Sequence, residues 1–176
     1  MNPIKVGLLG LGTVGRGTYS VLQRNQHEIT RRAGRGIEIA AVAVRDAAKA
    51  RTFLGSELPI TTDPLDVVRR PDIDIVVELL GGYEPARSLV LEAIALGKHV
   101  VTANKALLAR HGNEIFEAAR ARGVRFRPSV QTLKTTNAAA SNRPTHSHGG
   151  LMKNRASAAH ETPPTTSSNA RPLPSQ

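Results

Sequence analysis

"IKVGLLGLGTVGRG", residues 4–17, sets the reading of everything that follows. Its first half is a short apolar run ending on glycine, as a buried parallel strand should. Its second half opens a helix, with Val14, Val21, Leu22 and Ile29 at helical spacing. Between them, Gly10, Gly12 and Gly15 keep a G-x-G-x-x-G spacing. That pattern is weak alone, but a strand before it and a helix after it are the context its chemistry needs. Gly10 permits a tight turn, Gly12 lets the backbone approach a pyrophosphate, and Gly15 lets the helix pack close to the strand. A helix N-terminus adds free N–H groups and a favourable dipole for an anion. The turn from Gly10 to Gly15, with Leu11, Thr13 and Val14 inside it, is the candidate phosphate cradle. The competing reading is a glycine-rich turn with no ligand.

Strand and helix signals alternate from there on. "IEIAAVAV" (37–44), "LPITT" (58–62), "DIDIVVELL" (72–80) and "KHVVTA" (98–103) read as strands. "DAAKARTFL" (46–54) offers an N-cap and good helix formers, and "DPLDVVRR" (63–70) starts with Asp then Pro. "EPARSLVLEAIALG" (84–97) puts Ala86, Leu89, Val90, Ala93 and Ile94 on one face, with Gly97 at its C-terminal end. "NKALLARHG" and "NEIFEAARARG" read as two further helices, the second stopped by Gly123, and "VRF" opens another strand. This alternation predicts a parallel sheet with right-handed crossover helices, an α/β fold of the Rossmann-type doubly wound kind.

Composition narrows the classes. The chain has 176 residues, enough for one domain and too few for two full ones. With 40% hydrophobic but only 3% aromatic residues, the core must be built from Val, Ile, Leu and Ala. The absence of cysteine excludes disulfides and thiolate metal sites, and fits a cytoplasmic setting. The first apolar run is short and broken by glycines, so it reads as a strand and not as a signal peptide or membrane span. No membrane partner is expected.

Net charge is +10, unevenly spread. Residues 1–126 hold 18 Lys+Arg against 13 Asp+Glu, whereas residues 127–176 hold 6 against 1. The latter stretch has no aromatic residue for base stacking and no dense basic cluster, so specific nucleic-acid binding is set aside. Ser, Thr, Asn and Pro make up 24 of its 50 residues. Its large apolar side chains, such as Val130, Leu151 and Leu173, are too scattered to form a face. Residues 1–126 are therefore expected to form the ordered domain, and 127–176 a low-complexity, disordered tail. His146 and His148 lack a rigid frame and a full ligand set, so no metal site is expected.

Cofactor choice is usually read at the end of the second strand, where an acidic residue takes ribose hydroxyls and Arg accommodates a 2′-phosphate. Here Arg45 stands at that end, with Asp46 next and Lys49 one turn on. A guanidinium can grip a phosphate bidentately and Lys49 adds a point charge, which favours NADP. NAD stays open, because Arg45 and Lys49 can be solvated cations and Asp46 can take the ribose. Arg45 also lies farther from Gly15 than the usual spacing of about 20 residues. Two further loops end strands. "ELLGGY" carries Leu80, Gly81 and Gly82, and "TANKA" carries Asn104 and Lys105. In a parallel sheet both face the ligand crevice.

"GLGTVGRG", "AVAVRD", "DIDIVVELLGGYEPA" and "GKHVVTANKALLA", in this order, resemble homoserine dehydrogenase over about residues 4–126. The last two motifs are much more specific than the glycine fingerprint. The resemblance implies an NAD(P)-binding domain followed by a substrate and dimerisation domain in a homodimer. It implies interconversion of L-homoserine and L-aspartate 4-semialdehyde, in threonine and methionine biosynthesis. By it, Gly10 to Gly15 hold the pyrophosphate, Arg45 meets the NADP phosphate, and Leu80, Gly81 and Gly82 line the nicotinamide side. Lys105 becomes the catalytic lysine at the cofactor–substrate junction, with Asn104 grouped beside it among the cofactor-binding residues. After Phe126 the sequence departs from the family's pattern. The glutamate-containing, glycine-rich segment, a second catalytic lysine and an acidic substrate ligand are not found. The expectation is a chain truncated or frameshifted at that point, keeping cofactor binding and meeting L-homoserine only if the missing domain is supplied.

Overall fold

The structure, a computed structural model, describes residues 2–129. The expected disorder of the tail and its His146/His148 pair fall in residues 130–176 and lie outside the described residues.

Twelve elements follow one another along the chain. They are β1 (Ile4–Leu9), α1 (Thr13–Arg24), α2 (Gln26–Ala33), β2 (Ile37–Ala43), α3 (Ala47–Leu54), β3 (Ile60–Thr61), α4 (Pro64–Val68), β4 (Ile75–Glu78), α5 (Ala86–Ala95), β5 (His99–Thr102), α6 (Lys105–Arg122) and β6 (Phe126–Pro128). All strand pairs are parallel, in the order β3-β2-β1-β4-β5-β6. This is the doubly wound Rossmann arrangement, and its order reverses between β1 and β4, where such sheets open a ligand crevice.

The strands are near-continuous apolar runs because helices cover both faces. One buried cluster joins α4, α5 and α6 to the sheet through Val67, Leu89, Ile94, Leu107 and Ile115. A smaller one joins α1 and α3 through Leu8, Val42, Ala50 and Leu54, with Tyr19 and Leu22 packed against it. The face expected for α5 is the one buried: Ala86, Leu89, Val90, Ala93 and Ile94. Local capping sets where the helices begin. Asp46 accepts from the Lys49 amide at 3.0 Å to start α3, and Asp63 accepts from the Leu65 amide at 2.9 Å to start α4.

Three local expectations need correction. The helix that opens at the glycine turn breaks at Asn25, whose side chain donates back to the Val21 carbonyl at 2.8 Å. Its inward stripe is Gly15, Tyr19 and Leu22, at i, i+4 and i+7, while Val14 and Val21 are 57% and 48% exposed. Tyr19 is thus half-buried. Next, "NKALLARHG" and "NEIFEAARARG" form one helix, α6, with Gly112 inside it. A helix-interior glycine costs about 1 kcal/mol, less than the roughly 1.5–3 kcal/mol from fully burying one large aliphatic side chain. Leu107 and Leu108 before Gly112, and Ile115 and Ala119 after it, are all buried, so continuity wins. His111 consequently lies within the helix, 3.5 Å from the Glu114 carboxylate and edge-on to Tyr83. Finally, Arg127 and Pro128 belong to β6, paired with Val101 and Thr102.

Candidate functional site

The strand order sets four loops side by side at the carboxyl edge of the sheet. Arg45 follows β2, the glycine turn follows β1, Leu80 to Gly82 follow β4, and Asn104 and Lys105 follow β5. At about 4.8 Å per strand, this row spans roughly 14 Å.

The glycine turn has the geometry its spacing predicts. Gly10 sits at φ +101°, a conformation L side chains rarely adopt, and a Cβ there would lie 2.9 Å from the Leu79 carbonyl oxygen. A Cβ on Gly15 would lie 2.4 Å from the Gly10 carbonyl oxygen, so only glycine lets α1 sit this close to the turn. Gly12 differs: nothing stands within 4 Å of its Cβ direction. It is also the N-cap of α1, and no side chain caps that helix or places an acid in its first turn. Asp46, Asp63 and Asn104 cap α3, α4 and α6, whereas α2 and α5 share with α1 the lack of a side-chain cap; α1 differs from those two in following the glycine turn. Helix α1 therefore presents its dipole and first-turn amides to an open space, the arrangement an anion needs. The turn fits a pyrophosphate.

A cleft of about 500 Å³ opens there. Gly10, Leu11, Gly12 and Thr13 form one wall, with Leu79 and Leu80 behind them. Arg45, Lys49 and Ala50 form the other, with Val44, Asp46 and Arg16 completing the lining. Asp46 already spends one carboxylate oxygen on capping α3. Arg45 and Lys49 are exposed, and among the described residues neither makes an ion pair or side-chain hydrogen bond.

The β4 and β5 ends are stitched together from inside. Glu78 is fully buried at the end of β4. One of its oxygens accepts from the Leu80 and Gly81 amides at 2.7 and 3.3 Å, and the other from the Thr102 hydroxyl at 2.5 Å. Thr102 Oγ1 in turn accepts from the Asn104 amide at 2.9 Å. Asn104 Nδ2 donates to the Gly82 carbonyl at 2.7 Å, and its Oδ1 accepts from the Leu107 amide at 3.1 Å. Among the described residues, no buried side-chain nitrogen or oxygen lacks a partner.

Of the expected site residues, Gly10, Leu11, Gly12, Thr13, Arg45, Lys49 and Leu80 share the cleft. Gly15 acts beneath it, and Val14 points to solvent instead. Gly81 and Gly82 sit in the adjoining β4 loop. Asn104 is turned inward: its Nδ2 and Oδ1 both bond within the frame, so it positions the Leu80–Gly82 loop. Lys105 is exposed at the first turn of α6, beside that loop and outside the cleft. The sequence reading missed Arg16, Leu79 and Thr102. Arg16 was detectable as the cation directly after Gly15 on the helix leaving the turn.

Two groups with shifted ionisation sit at the opposite, amino-terminal edge of the sheet. The Arg70 guanidinium beside Asp72 holds its carboxyl well below the usual range. Burial pushes the Lys98 ammonium down, and its Nζ donates to the Arg70 and Ile73 carbonyls at 2.6 and 2.8 Å. These bonds tie loops to the frame. Among the described residues there is no metal-ligand cluster, and no helix is long and apolar enough to cross a membrane.

Comparison with known proteins returns the same domain. The family model "Homoserine dehydrogenase, NAD binding domain" matches residues 10–128. The chain is 60% identical over 124 residues to the homoserine dehydrogenase of Pseudomonas aeruginosa, covering 70% of this chain and 28% of that protein. It is 62% identical over 109 residues to that of Methylobacillus glycogenes, covering 62% of this chain and 26% of that protein. Among solved structures, a homoserine dehydrogenase from Thiobacillus denitrificans matches with a TM-score of 0.69 and 64% identity, over 72% of this chain and 29% of that one. The S. aureus homoserine dehydrogenase matches with a TM-score of 0.69 and 35% identity, over 73% and 33%. The chain thus spans between a quarter and a third of the length of these relatives.

Proposed function

Because the chain belongs to the homoserine dehydrogenase family through its NAD-binding domain, we propose that residues 1–126 bind a dinucleotide, with NADP preferred over NAD. The observation that carries this reading is the uncapped N-terminus of α1 behind Gly12, open to the cleft. The amides of the turn hold the pyrophosphate there, and no carboxylate of the first turn competes with it. The pair Arg45 and Lys49 supports NADP: two cations without carboxylate partners among the described residues, on the β2 side where a 2′-phosphate belongs. Asp46 is left as the weaker ribose ligand, since it caps α3.

The bound nicotinamide supplies the hydride chemistry. Gly81 and Gly82, with Leu80, border its place, and their loop is fixed by Glu78 and Asn104. Lys105 Nζ is assigned to the oxygen of the substrate carbon that gains or loses hydride. The substrate pair is L-homoserine and L-aspartate 4-semialdehyde, as the names of the relatives suggest. Turnover also requires groups that hold the substrate in near-attack geometry, and the chain spans only between a quarter and a third of the length of its relatives. A cytoplasmic location belongs to the same proposal, and so does the family's homodimer, whose interface lies largely in the dimerisation domain that this chain would need supplied.

Fluorescence titration of the purified chain tests it. NADPH is expected to bind more tightly than NADH. Arg45→Ala should weaken NADP about tenfold and leave NAD within about twofold, as loss of one charge-assisted contact implies. Equal weakening of both would remove the phosphate assignment. NADP-linked oxidation of L-homoserine, followed alongside, separates a catalytic chain from a non-catalytic NADP-binding module.

A further inference from the structure

Arg16 is the one cation of the cleft that the sequence reading leaves without a role. It lies on α1, one residue past Gly15, half-buried, and its side chain lines the same cleft as Arg45 and Lys49. Its guanidinium lies over the ring of Phe53, 5.0 Å from the centroid. Phe53 is held in turn by Tyr19, edge-on at 5.7 Å. Other arginines of the domain are partnered differently. Arg31 and Arg32 bind Glu28, Arg69 binds Glu92, Arg70 binds Asp72, and Arg87 binds Glu114. Among the described residues, Arg16 has no carboxylate partner and no side-chain hydrogen bond.

We propose that Arg16, seated on Phe53, is a specificity-determining residue for the adenosine phosphate of NADP, acting with Arg45 and Lys49 as the third cation of one phosphate pocket; this rests on the cofactor reading above. The direction of its side chain decides the assignment. Phe53 belongs to α3, the helix that follows β2, so the stacking draws Arg16 away from β4 and toward Arg45 and Lys49. A guanidinium on an aromatic face keeps its N–H edge available, because the ring occupies its face alone. Three positive groups and one partly engaged carboxylate then surround the place of a phosphate dianion. The 2′-hydroxyl of NAD would leave the same cations without that partner, which is discrimination by unmatched charge. Phe53 is a positioning residue in this scheme: it touches Arg16 and need not touch the ligand.

The test is direct titration of the full chain with NADP(H) and NAD(H), comparing Arg16→Gln, Arg16→Lys and Phe53→Leu with the unaltered protein. Arg16→Gln is expected to raise the Kd for NADP about tenfold and to move that for NAD by less than about twofold. Arg16→Lys keeps the charge without the fork and should recover part of the loss. Phe53→Leu should weaken NADP by about threefold, the size of an exposed cation–π contact, with NAD again unmoved. Equal weakening of both nucleotides by Arg16→Gln would assign the side chain to the pyrophosphate and overturn the proposal, as would no change in either. If Arg45→Ala abolishes the NADP preference while the Arg16 and Phe53 variants keep it, the cofactor reading stands and this inference falls. Failure of the unaltered chain to bind either nucleotide would overturn both.

Discussion

The two halves of the carboxyl edge are built on opposite principles. At the ends of β4 and β5, the buried polar side chains are satisfied within the protein: Glu78, Thr102 and Asn104 make six hydrogen bonds, and two of them, Thr102 to Glu78 and Asn104 to Gly82, tie the two loops together. At the ends of β1 and β2, the groups stand open. Among the described residues, helix α1 has no side-chain cap, nothing stands in the Cβ direction of Gly12, and Arg16, Arg45 and Lys49 have no carboxylate partners. A saturated network gives rigidity, and an unsaturated cationic turn gives affinity for an anion. The first half acts as a frame for the second. Substitutions should therefore divide by region, with stability lost on the β4–β5 side and affinity lost on the β1–β2 side.

The largest effect expected is at the frame. Glu78→Ala leaves two amides and a buried hydroxyl without acceptors, so chemical denaturation should show a loss of about 3 kcal/mol or more. A stability change below 1 kcal/mol would show that the two halves are not built differently. Next comes the seam between them. Gly15→Ala drives a Cβ against the Gly10 carbonyl, and its melting temperature should fall by several degrees while dinucleotide affinity drops together for NADP and NAD. Asn104→Ala removes an N-cap and the tie to Gly82, with an expected loss of about 1–2 kcal/mol and only a small change in Kd. Smallest in stability is Lys105→Ala, an exposed first-turn side chain, expected within about 0.5 kcal/mol of the unaltered protein. Its readout is turnover with the substrate-holding part present, where assay of homoserine oxidation should show near-complete loss.

Much of this was legible in the sequence because the two periodicities are clean. Short apolar, mostly β-branched runs alternate with amphipathic helical segments, and that alone gives the succession of strands and helices and the loops that follow the strands. The glycine turn was readable residue by residue because its spacing encodes backbone geometry. What escaped was whatever depends on partners distant in sequence. Asn104 looked like a crevice residue until its links to Gly82 and Leu107 were visible, 22 residues back and 3 forward. The role of Arg16 depends on Phe53, which reaches it only when α1 and α3 pack side by side. Val14 and Val21 misled through a correct helical spacing on the wrong face, since the residue that settles the face is the small Gly15. The break expected at Gly112 failed for the converse reason: burial on both sides of it outweighs one poor helix former.

The most direct test of the central claim is amide chemical-shift mapping of the isotopically labelled chain during titration with NADP. Saturable shifts confined to Gly10 to Gly15, the Arg45–Lys49 segment and Leu80 to Gly82, with Thr102 and Leu107 little moved, are the predicted result. Shifts that bypass the glycine turn, or none at millimolar NADP, would contradict the account.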